Sequence, residues 1–502
     1  RRLGGRDGGR EHEKQQETTH RDVPGAGYGR YLGLMLLRLI YDDKLAQASY
    51  LLGCQATGEA MVIDANRDAE QYTRLARKEG VRITHVTETH IHADYLSGSR
   101  ELAHLTGARL HLSGMGGAGW SYRFPELPDV QLLQDGATLQ VGNIRVEVLH
   151  TPGHTPEHIC FLITDAASAD QPIGIFSGDF VFVGDVGRPD LLEKAAGFTG
   201  TMEAGARELY RSLQRFRALP DYLQVWPGHG AGSACGKALG AVPQTTVGYE
   251  KLFNPALAAQ SEAEFVDFIL TGQPEPPKYF ATMKRLNRDG PPLLNGLPAP
   301  QPLPEEELSR VLQAGLQLID TRAASAFARG HVRGSINIPY NKAFTTWAGW
   351  LISYERDFAL IVDEHVHAHS VARDLALIGL DRVQGYFSST ALSGRADLQR
   401  MEAIRTAELA RLLDSGEAVG VDVRNASEWD AGHIPGSIHI PLGYLPDRAH
   451  ELPRDKPVVV FCQTGSRSAI AASVLQAEGM DDVRNVHGGY AEWARGAPAI
   501  QD

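Results

Sequence analysis

The chain has 502 residues, 43 % hydrophobic and 22 % charged, an ordinary balance for a folded protein with room for two or three domains. A net charge of −12 argues against a dedicated nucleic-acid binder, and no apolar run approaches the ~20 residues that span a bilayer. Four cysteines, Cys54, Cys160, Cys235 and Cys462, are scattered without a CxxC pair, the sparse usage expected of a reducing cytoplasm.

Residues 1–34 are rich in Gly, Arg, Glu and Gln, so a disordered or non-native extension is expected there, with Met35 a candidate natural start. The apolar run Tyr31 to Tyr41, followed by Ala46-Gln47-Ala48, mimics a secretory signal. The acids ahead of it and the Asp42-Asp43-Lys44 interruption fit instead an opening hairpin, Leu36 to Tyr41 against Ser49 to Leu52. Up to about Tyr249, short strands alternate with helical stretches: Ala60–Asp64, Ile83–Thr87, Ile144–Leu149, Ile159–Ile163 and Ile173–Ser177, with a helix near Asp68–Glu79. Histidines and aspartates follow the strand ends, where loop-borne chemistry sits in layered α/β folds. Proline density from Gly272 to Pro277 and from Gly290 to Pro304 marks a linker or wrapping segment. The expected domains are 35–270, a Pro-rich linker 271–304, then 305–398 and 399–502.

The last two are copies of one unit. Leu318-Ile-Asp320-Thr-Arg322, with Gly330-His331 to Pro339, matches Gly420-Val-Asp422-Val-Arg424, with Gly432-His433 to Pro441, in the same order about a hundred residues on. Each copy predicts a small parallel-sheet α/β unit.

Chemistry concentrates in four segments of the first domain. Thr89-His90-Ile91-His92-Ala93-Asp94-Tyr95 nearly spells His-x-His-x-Asp-His, which feeds two metals from one loop, but Tyr95 stands at the last histidine. Phenol, with a pKa near 10, is a poor ligand at neutral pH, so a single-metal site is expected. Thr151-Pro-Gly-His154, Phe176-Ser-Gly-Asp179 and Trp226-Pro-Gly-His229 supply three further candidates in tight turns or at a strand end. Any one histidine alone would read as a satisfied turn residue; the ordered set does not.

These segments together resemble the metallo-β-lactamase superfamily over about 215 residues, and within it most resemble the persulfide dioxygenases. The resemblance implies an αββα sandwich and one Fe(II) per chain held by His90, His154 and Asp179, a two-histidine, one-carboxylate set that leaves positions open for a sulfur substrate and O₂. His92 and Asp94 are expected to orient ligands or water, and His229 to persist from the lost second site. Arg188, in Gly187-Arg188-Pro-Asp190, matches a family arginine that binds the carboxylate of a thiol carrier, and Tyr210 either matches a substrate-contacting tyrosine or is a helix-face aromatic packing inward. Cys235, in the Gly-rich stretch after His229, is buried filler or, with His229 and Lys237 favouring thiolate, a persulfide relay. Cys54 and Cys160 read as filler.

In the last repeat, Pro457 to Phe461 runs into Cys462-Gln-Thr-Gly-Ser-Arg467-Ser468 and then a helix. Backbone N–H groups and a helix N-terminus aimed at the sulfur lower a thiol pKa and stabilise a persulfide. This loop, with Asp422-Val-Arg424 and Gly432-His433 upstream, resembles the rhodanese family over about residues 403–496. The resemblance implies Cys462 as sulfur carrier, Arg467 as anchor for sulfite or thiosulfate oxygens, and Arg424 as a possible assistant. The first repeat ends its third strand in Asp363-Glu-His365-Val-His367-Ala-His369 and holds no cysteine, so it is expected to be inert. Its three alternating histidines read as a solvated loop or short strand.

The whole resembles bacterial fused persulfide dioxygenase–sulfurtransferases. The expected chemistry is oxidation of a low-molecular-weight persulfide (of glutathione, coenzyme A or a similar thiol) by O₂ to sulfite, coupled to sulfur transfer giving thiosulfate. A glyoxalase-II-type thioester hydrolase and a non-oxidative sulfur-relay or sensing protein are the alternatives. A cytoplasmic homo-oligomer that binds neither nucleic acid nor membrane completes the expectation.

Overall fold

The computed structural model describes residues 35–117, 119–124, 130–194, 200–237 and 239–496; the expected N-terminal extension lies outside the described residues. The opening hairpin forms as Met35–Asp42 antiparallel to Gln47–Cys54. It starts a six-stranded sheet, continued in chain order by Glu59–Ile63, Arg82–Thr87, Arg109–Ser113 and Val130–Leu133. The second sheet takes Thr138–Val141, Ile144–His150, Ile159–Asp165, Gly174–Gly178, Gln224–Pro227 and Thr245–Thr246, again with chain neighbours side by side.

Period-two alternation explains the layers. Leu51, Ala60 and Val62 face outward onto Tyr72 and Ala76 of the helix Ala69–Glu79. Their neighbours Tyr50, Leu52, Met61 and Ile63 face the other sheet, meeting Val146, Val148, Phe161 and Phe176. The second sheet turns Ile175 and Val225 outward against Leu209, Leu213 and Phe216 of the helix Thr201–Arg217. Two sheets buried on both faces give the expected αββα sandwich. Among the described residues no helix is long and apolar enough to cross a membrane.

Both repeats build all-parallel sheets. The first is ordered Ile336–Asn337, Gln317–Asp320, Phe358–Val362, Val383–Ser388. The second has the same core order, with Glu402–Arg405 added at one edge. The Asp-x-Arg signature is one local device in both copies. Arg322 grips Asp320 and Arg424 grips Asp422, each at 2.6 Å, and each arginine also donates to a carbonyl eight residues on, Gly330 or Gly432.

Two expectations are corrected. The supposed linker holds an 11-residue helix, Tyr279–Asp289, which buries Phe280, Met283, Lys284 and Asn287 because they repeat at helical spacing toward one face. The histidine run is not a loop or strand but the first turns of the helix His365–Leu377; Ala368, Val371, Ala372 and Leu375 supply its apolar face, while His365 and His369 stay exposed.

The wrapping helix and the first repeat both lean on the loop that carries His90 and His92. Asn287 accepts from Ser97 N at 2.9 Å and donates to the carbonyls of His92 (2.9 Å) and Tyr95 (2.8 Å). Leu96 N donates to Leu377 O at 2.7 Å, and Arg67 pairs with Asp381 while Arg373 spans Asp42 and Asp68. Replacing Asn287 orphans three buried backbone groups at once, each costing about 1–3 kcal/mol. We therefore expect Asn287→Ala to lower the thermal midpoint and to release bound metal to a chelator faster than the parent; an unchanged midpoint with unchanged metal retention would refute this role.

Candidate metal centre and sulfur-transfer loop

Asp64 organises the metal loop. It ends the strand Glu59–Ile63 with φ of 55° and accepts from Thr89 N (2.7 Å), Thr89 Oγ1 (3.0 Å) and His92 Nε2 (3.1 Å). Since the Thr89 hydroxyl gives its proton to Asp64, it can only accept from His90 Nδ1, 2.9 Å away, which leaves His90 Nε2 bare. His154 is set the same way: its Nδ1–H donates to Arg188 O at 3.0 Å. The turn that presents it requires Gly153, at φ of 142°, because a Cβ there would strike Leu209 at 2.4–2.6 Å.

The bare nitrogens converge on Asp179. Its Oδ2 lies 3.8 Å from His90 Nε2 and 3.6 Å from His154 Nε2, and one donor atom from each of the three lies within 4.8 Å of the others. Burial, reinforced by neighbouring imidazoles and, at His154, by Lys284, holds both histidines far below their usual pKa, so they are neutral, the ligating form. Burial raises the Asp179 carboxyl, whose oxygens are both sealed from solvent without a hydrogen-bond partner. Two imidazole nitrogens and an unpartnered carboxylate facing one point fit a divalent cation, and the hydrogen bonds to Thr89 and the Arg188 carbonyl already orient both rings.

A second buried cluster adjoins it: Asp94, His229 and Cys235, again with donors within 4.8 Å of one another. His229 Nδ1–H donates to Ala46 O, leaving Nε2 facing Asp94 (3.3 Å) and Asp179 Oδ1 (3.5 Å). Tyr95 turns its hydroxyl to Asp64 O at 3.3 Å, and burial together with the Asp64 charge pushes its pKa well up. His92 is buried; burial opposes its charge, but Asp64, Glu88 and Asp94 outweigh it and lift the pKa to about 9.

Four further candidates are held by structural contacts. Arg188 is fully buried, its fork closed on Asp190 at 2.6 and 2.7 Å and its remaining N–H groups on Ala234 O and Pro274 O, so it is not presented to a carrier carboxylate. Tyr210 packs its half-buried ring on Phe265. Cys235 is no activated thiolate: burial first, then the Asp94 and Asp179 carboxylates, drive its pKa well above the ordinary value, and Lys237 donates instead to Phe268 O. Arg424 holds its own turn together, as above.

Sequence reasoning missed three groups at the centre. Glu157 accepts from Ile91 N at 2.9 Å, and its other oxygen is buried without a partner. Asn287 holds the loop from behind. Lys284, 5 % exposed, lies 4.7 Å over the Trp120 ring; burial lowers its pKa to about 8 against the pull of Glu157, Cys235 and Asp179. Glu157 was within reach of inspection beside His154; a lysine 130 positions beyond His154 carries no local signal.

At the other site, Cys462 follows the strand Val458–Phe461 and precedes the helix Ser466–Ala477. Gly465 N–H points at its sulfur at 3.2 Å and Ser468 Oγ lies at 3.5 Å. Burial alone would raise this thiol, yet Ser468, Thr464 and Gly465 together bring it below the ordinary value. Thiolate is therefore held above that lowered pKa and lost as pH falls through it. Alkylation of Cys462, followed by peptide mass spectrometry, should show its midpoint below the ~8.5 of a free thiol; a midpoint at or above it would contradict the geometry.

Arg467 is already paired. Both arms of its fork engage Glu428, at 2.6 and 2.7 Å, so a sulfur oxyanion would have to compete for it. Thr464, Gly465, Ser466 and Arg467 open on a cavity of about 840 Å³ whose opposite wall is the first repeat, including Tyr340, Trp347 and His367.

A double-sheet sandwich whose loops bury a His-His-Asp set, followed by two parallel-sheet repeats, defines a metallo-β-lactamase fold with a sulfurtransferase-like pair appended. The family models agree: that of the metallo-beta-lactamase superfamily matches residues 42–229, and that of the rhodanese-like domain matches 304–388 and 405–495. A crystal structure of a metallo-beta-lactamase from Staphylococcus aureus subsp. aureus COL is 42 % identical with a TM-score of 0.63, covering 70 % of this chain and 99 % of that one. The mitochondrial persulfide dioxygenase of Bos taurus is 29 % identical over 46 % of this chain and 79 % of its own length. The hydroxyacylglutathione hydrolase of Rhodospirillum rubrum is 32 % identical over 36 % of this chain, which spans 60 % of that relative. The chain thus belongs to the metallo-β-lactamase superfamily and carries two rhodanese-like domains after its sandwich.

Proposed function

We propose that the protein oxidises a low-molecular-weight thiol persulfide with O₂ and transfers sulfane sulfur at Cys462. The overall balance is RSSH + O₂ + H₂O giving RSH, HSO₃⁻ and H⁺; the sulfane sulfur is oxidised and O₂ is the four-electron acceptor. The Cys462 thiolate takes the outer sulfur of a second RSSH, releasing RSH, and the resulting Cys462 persulfide yields that sulfur to sulfite, releasing thiosulfate and the Cys462 thiolate. The reading rests chiefly on one observation: two neutral imidazoles and one unpartnered carboxylate, His90, His154 and Asp179, converge in a buried pocket while Tyr95 is turned away.

Fe(II) in such a set would supply the oxygen chemistry that zinc lacks. The chain's own groups do the rest. Thr89 and the Arg188 carbonyl fix both imidazole tautomers. Lys284, buried among these groups, is suited to meet the negative charge of a persulfide or of the sulfite product. At Cys462 the backbone N–H groups stabilise thiolate and persulfide alike, and the cavity beside its loop, lined by Thr464 to Arg467, is walled on the other side by the first repeat. All four cysteines are free, which suits a reducing cytoplasm.

The hydrolase relatives favour one rival, a thioester hydrolase. Oxygen-electrode assays with glutathione persulfide after anaerobic Fe(II) loading, beside thioester cleavage after zinc loading, separate the two. Stoichiometric O₂ uptake supports the proposal. Thioester cleavage with zinc and no O₂ uptake with iron overturns it.

A further inference from the structure

The two repeats differ most where their loops meet the shared cavity. In the second, four residues, Cys462 to Gly465, join the strand Val458–Phe461 to the helix Ser466–Ala477, and Gly465, at φ of 108°, turns its N–H to the sulfur. In the first, two residues, Asp363 and Glu364, join the strand Phe358–Val362 to the helix His365–Leu377. The shorter connection holds no glycine and brings a carboxylate to the cavity, across from Thr464 to Arg467. Among the described residues no hydrogen bond or ion pair engages the Asp363 side chain. On the same wall Tyr340 is committed, its hydroxyl donating to Asp374 at 2.8 Å and Lys44 Nζ lying 3.5 Å over its ring. Trp347, half-buried on the helix Phe344–Leu351, lends the cavity an indole.

We propose that Asp363 and Trp347 bind the ammonium group of an aminothiol, so that the first repeat selects which thiol carries sulfane sulfur to and from Cys462. At about 840 Å³ the cavity far exceeds a sulfite or thiosulfate ion and falls in the range that holds a small organic molecule. A free carboxylate repels those dianions and attracts a cation, and an ammonium is drawn to an indole face as well. A carrier that fills the cavity displaces the water around Asp363, which strengthens the pair beyond that of an open surface. An anionic handle fits worse: Arg467 is the one Lys or Arg among the described lining residues, and its fork is closed on Glu428. The inference rests on the sulfur-transfer reading at Cys462 and deepens it by naming the carrier class.

The test is anaerobic sulfur transfer by the full chain from thiosulfate to a thiol, S₂O₃²⁻ + RS⁻ giving RSS⁻ + SO₃²⁻, with cysteamine and 2-mercaptoethanol as acceptors. The Cys462 thiolate takes the outer sulfur as the S–S bond breaks and sulfite leaves; the acceptor thiolate then takes that sulfur and frees Cys462. The acceptors differ by an ammonium in place of a hydroxyl, and comparing each with itself across variants cancels their thiol reactivities. Asp363→Asn should lower kcat/KM for cysteamine about tenfold through KM, while 2-mercaptoethanol and the KM for thiosulfate stay within about twofold. Asp363→Glu should restore part of the preference. If Asp363→Asn fails to fold, Trp347→Leu gives the same comparison, with the loss again confined to cysteamine. An equal loss for both acceptors, or no loss for either, would overturn the proposal while leaving sulfur transfer at Cys462 standing. No transfer by the parent to either thiol would sink the sulfur-transfer reading, and this one with it.

Discussion

His154→Ala is expected to abolish persulfide-dependent O₂ uptake, with a loss well beyond 100-fold. Its Nε2 is one of only three donors in the first cluster, and the loss of outer-shell partners alone costs roughly 10–100-fold in metal affinity or activity. Removing the ring also deprives the Arg188 carbonyl of its donor and leaves Asp179 buried beside two imidazoles, those of His90 and His229, instead of three. Metal analysis should show the iron content fall with the activity. A variant that lost uptake yet held iron as tightly as the parent would mean that His154 acts on substrate rather than on the metal. His154→Ala should leave thiosulfate exchange at Cys462 intact, because that loop belongs to a separate sheet.

Cys462→Ser is the complementary case: exchange of sulfur between thiosulfate and a thiol acceptor should vanish, while O₂ uptake persists. A hydroxyl has nearly the shape of the thiol, so the loop with Gly465 and Ser468 should keep its form, but an alcohol cannot carry sulfane sulfur near neutral pH. The first repeat offers no cysteine in the matching place, since the residue after its third strand is Asp363. Loss of both activities in this variant would show that the two sites are coupled and not merely fused. Retained exchange would move the sulfur carrier to another of the four thiols.

Much of the fold was written in short-range pattern. The opening hairpin, the helix near Asp68–Glu79 and five sandwich strands formed within a few residues of their expected ends, because alternation and capping are local signals. The duplication was legible too, since Asp-x-Arg and Gly-His recur in a fixed order, and the structure gives the reason: each arginine closes a turn on its own aspartate. Two local readings failed where a weaker period was overlooked. The alternation of His365, His367 and His369 runs across the Ala368, Val371, Leu375 spacing that makes a helix, and two proline clusters flank the helical spacing of Phe280, Met283 and Asn287.

The order of the four metal-loop segments, the likeness of the two repeats and the tyrosine at the place of the expected histidine are all written in the chain. Which side chains are available for chemistry is set by packing. Arg188, Arg467 and Arg424 each have a carboxylate partner that composition cannot reveal, and a fork already closed on a carboxylate is a structural group first. Asn287, Lys284 and Cys235 reach the centre from segments far apart in the chain, brought there by burial of apolar faces that carry no record of what polar atoms travel with them. Donor spacing along a chain can announce a metal loop, but convergence in space is a property of packing, and packing is where Cys235 comes to face Asp94 and His229.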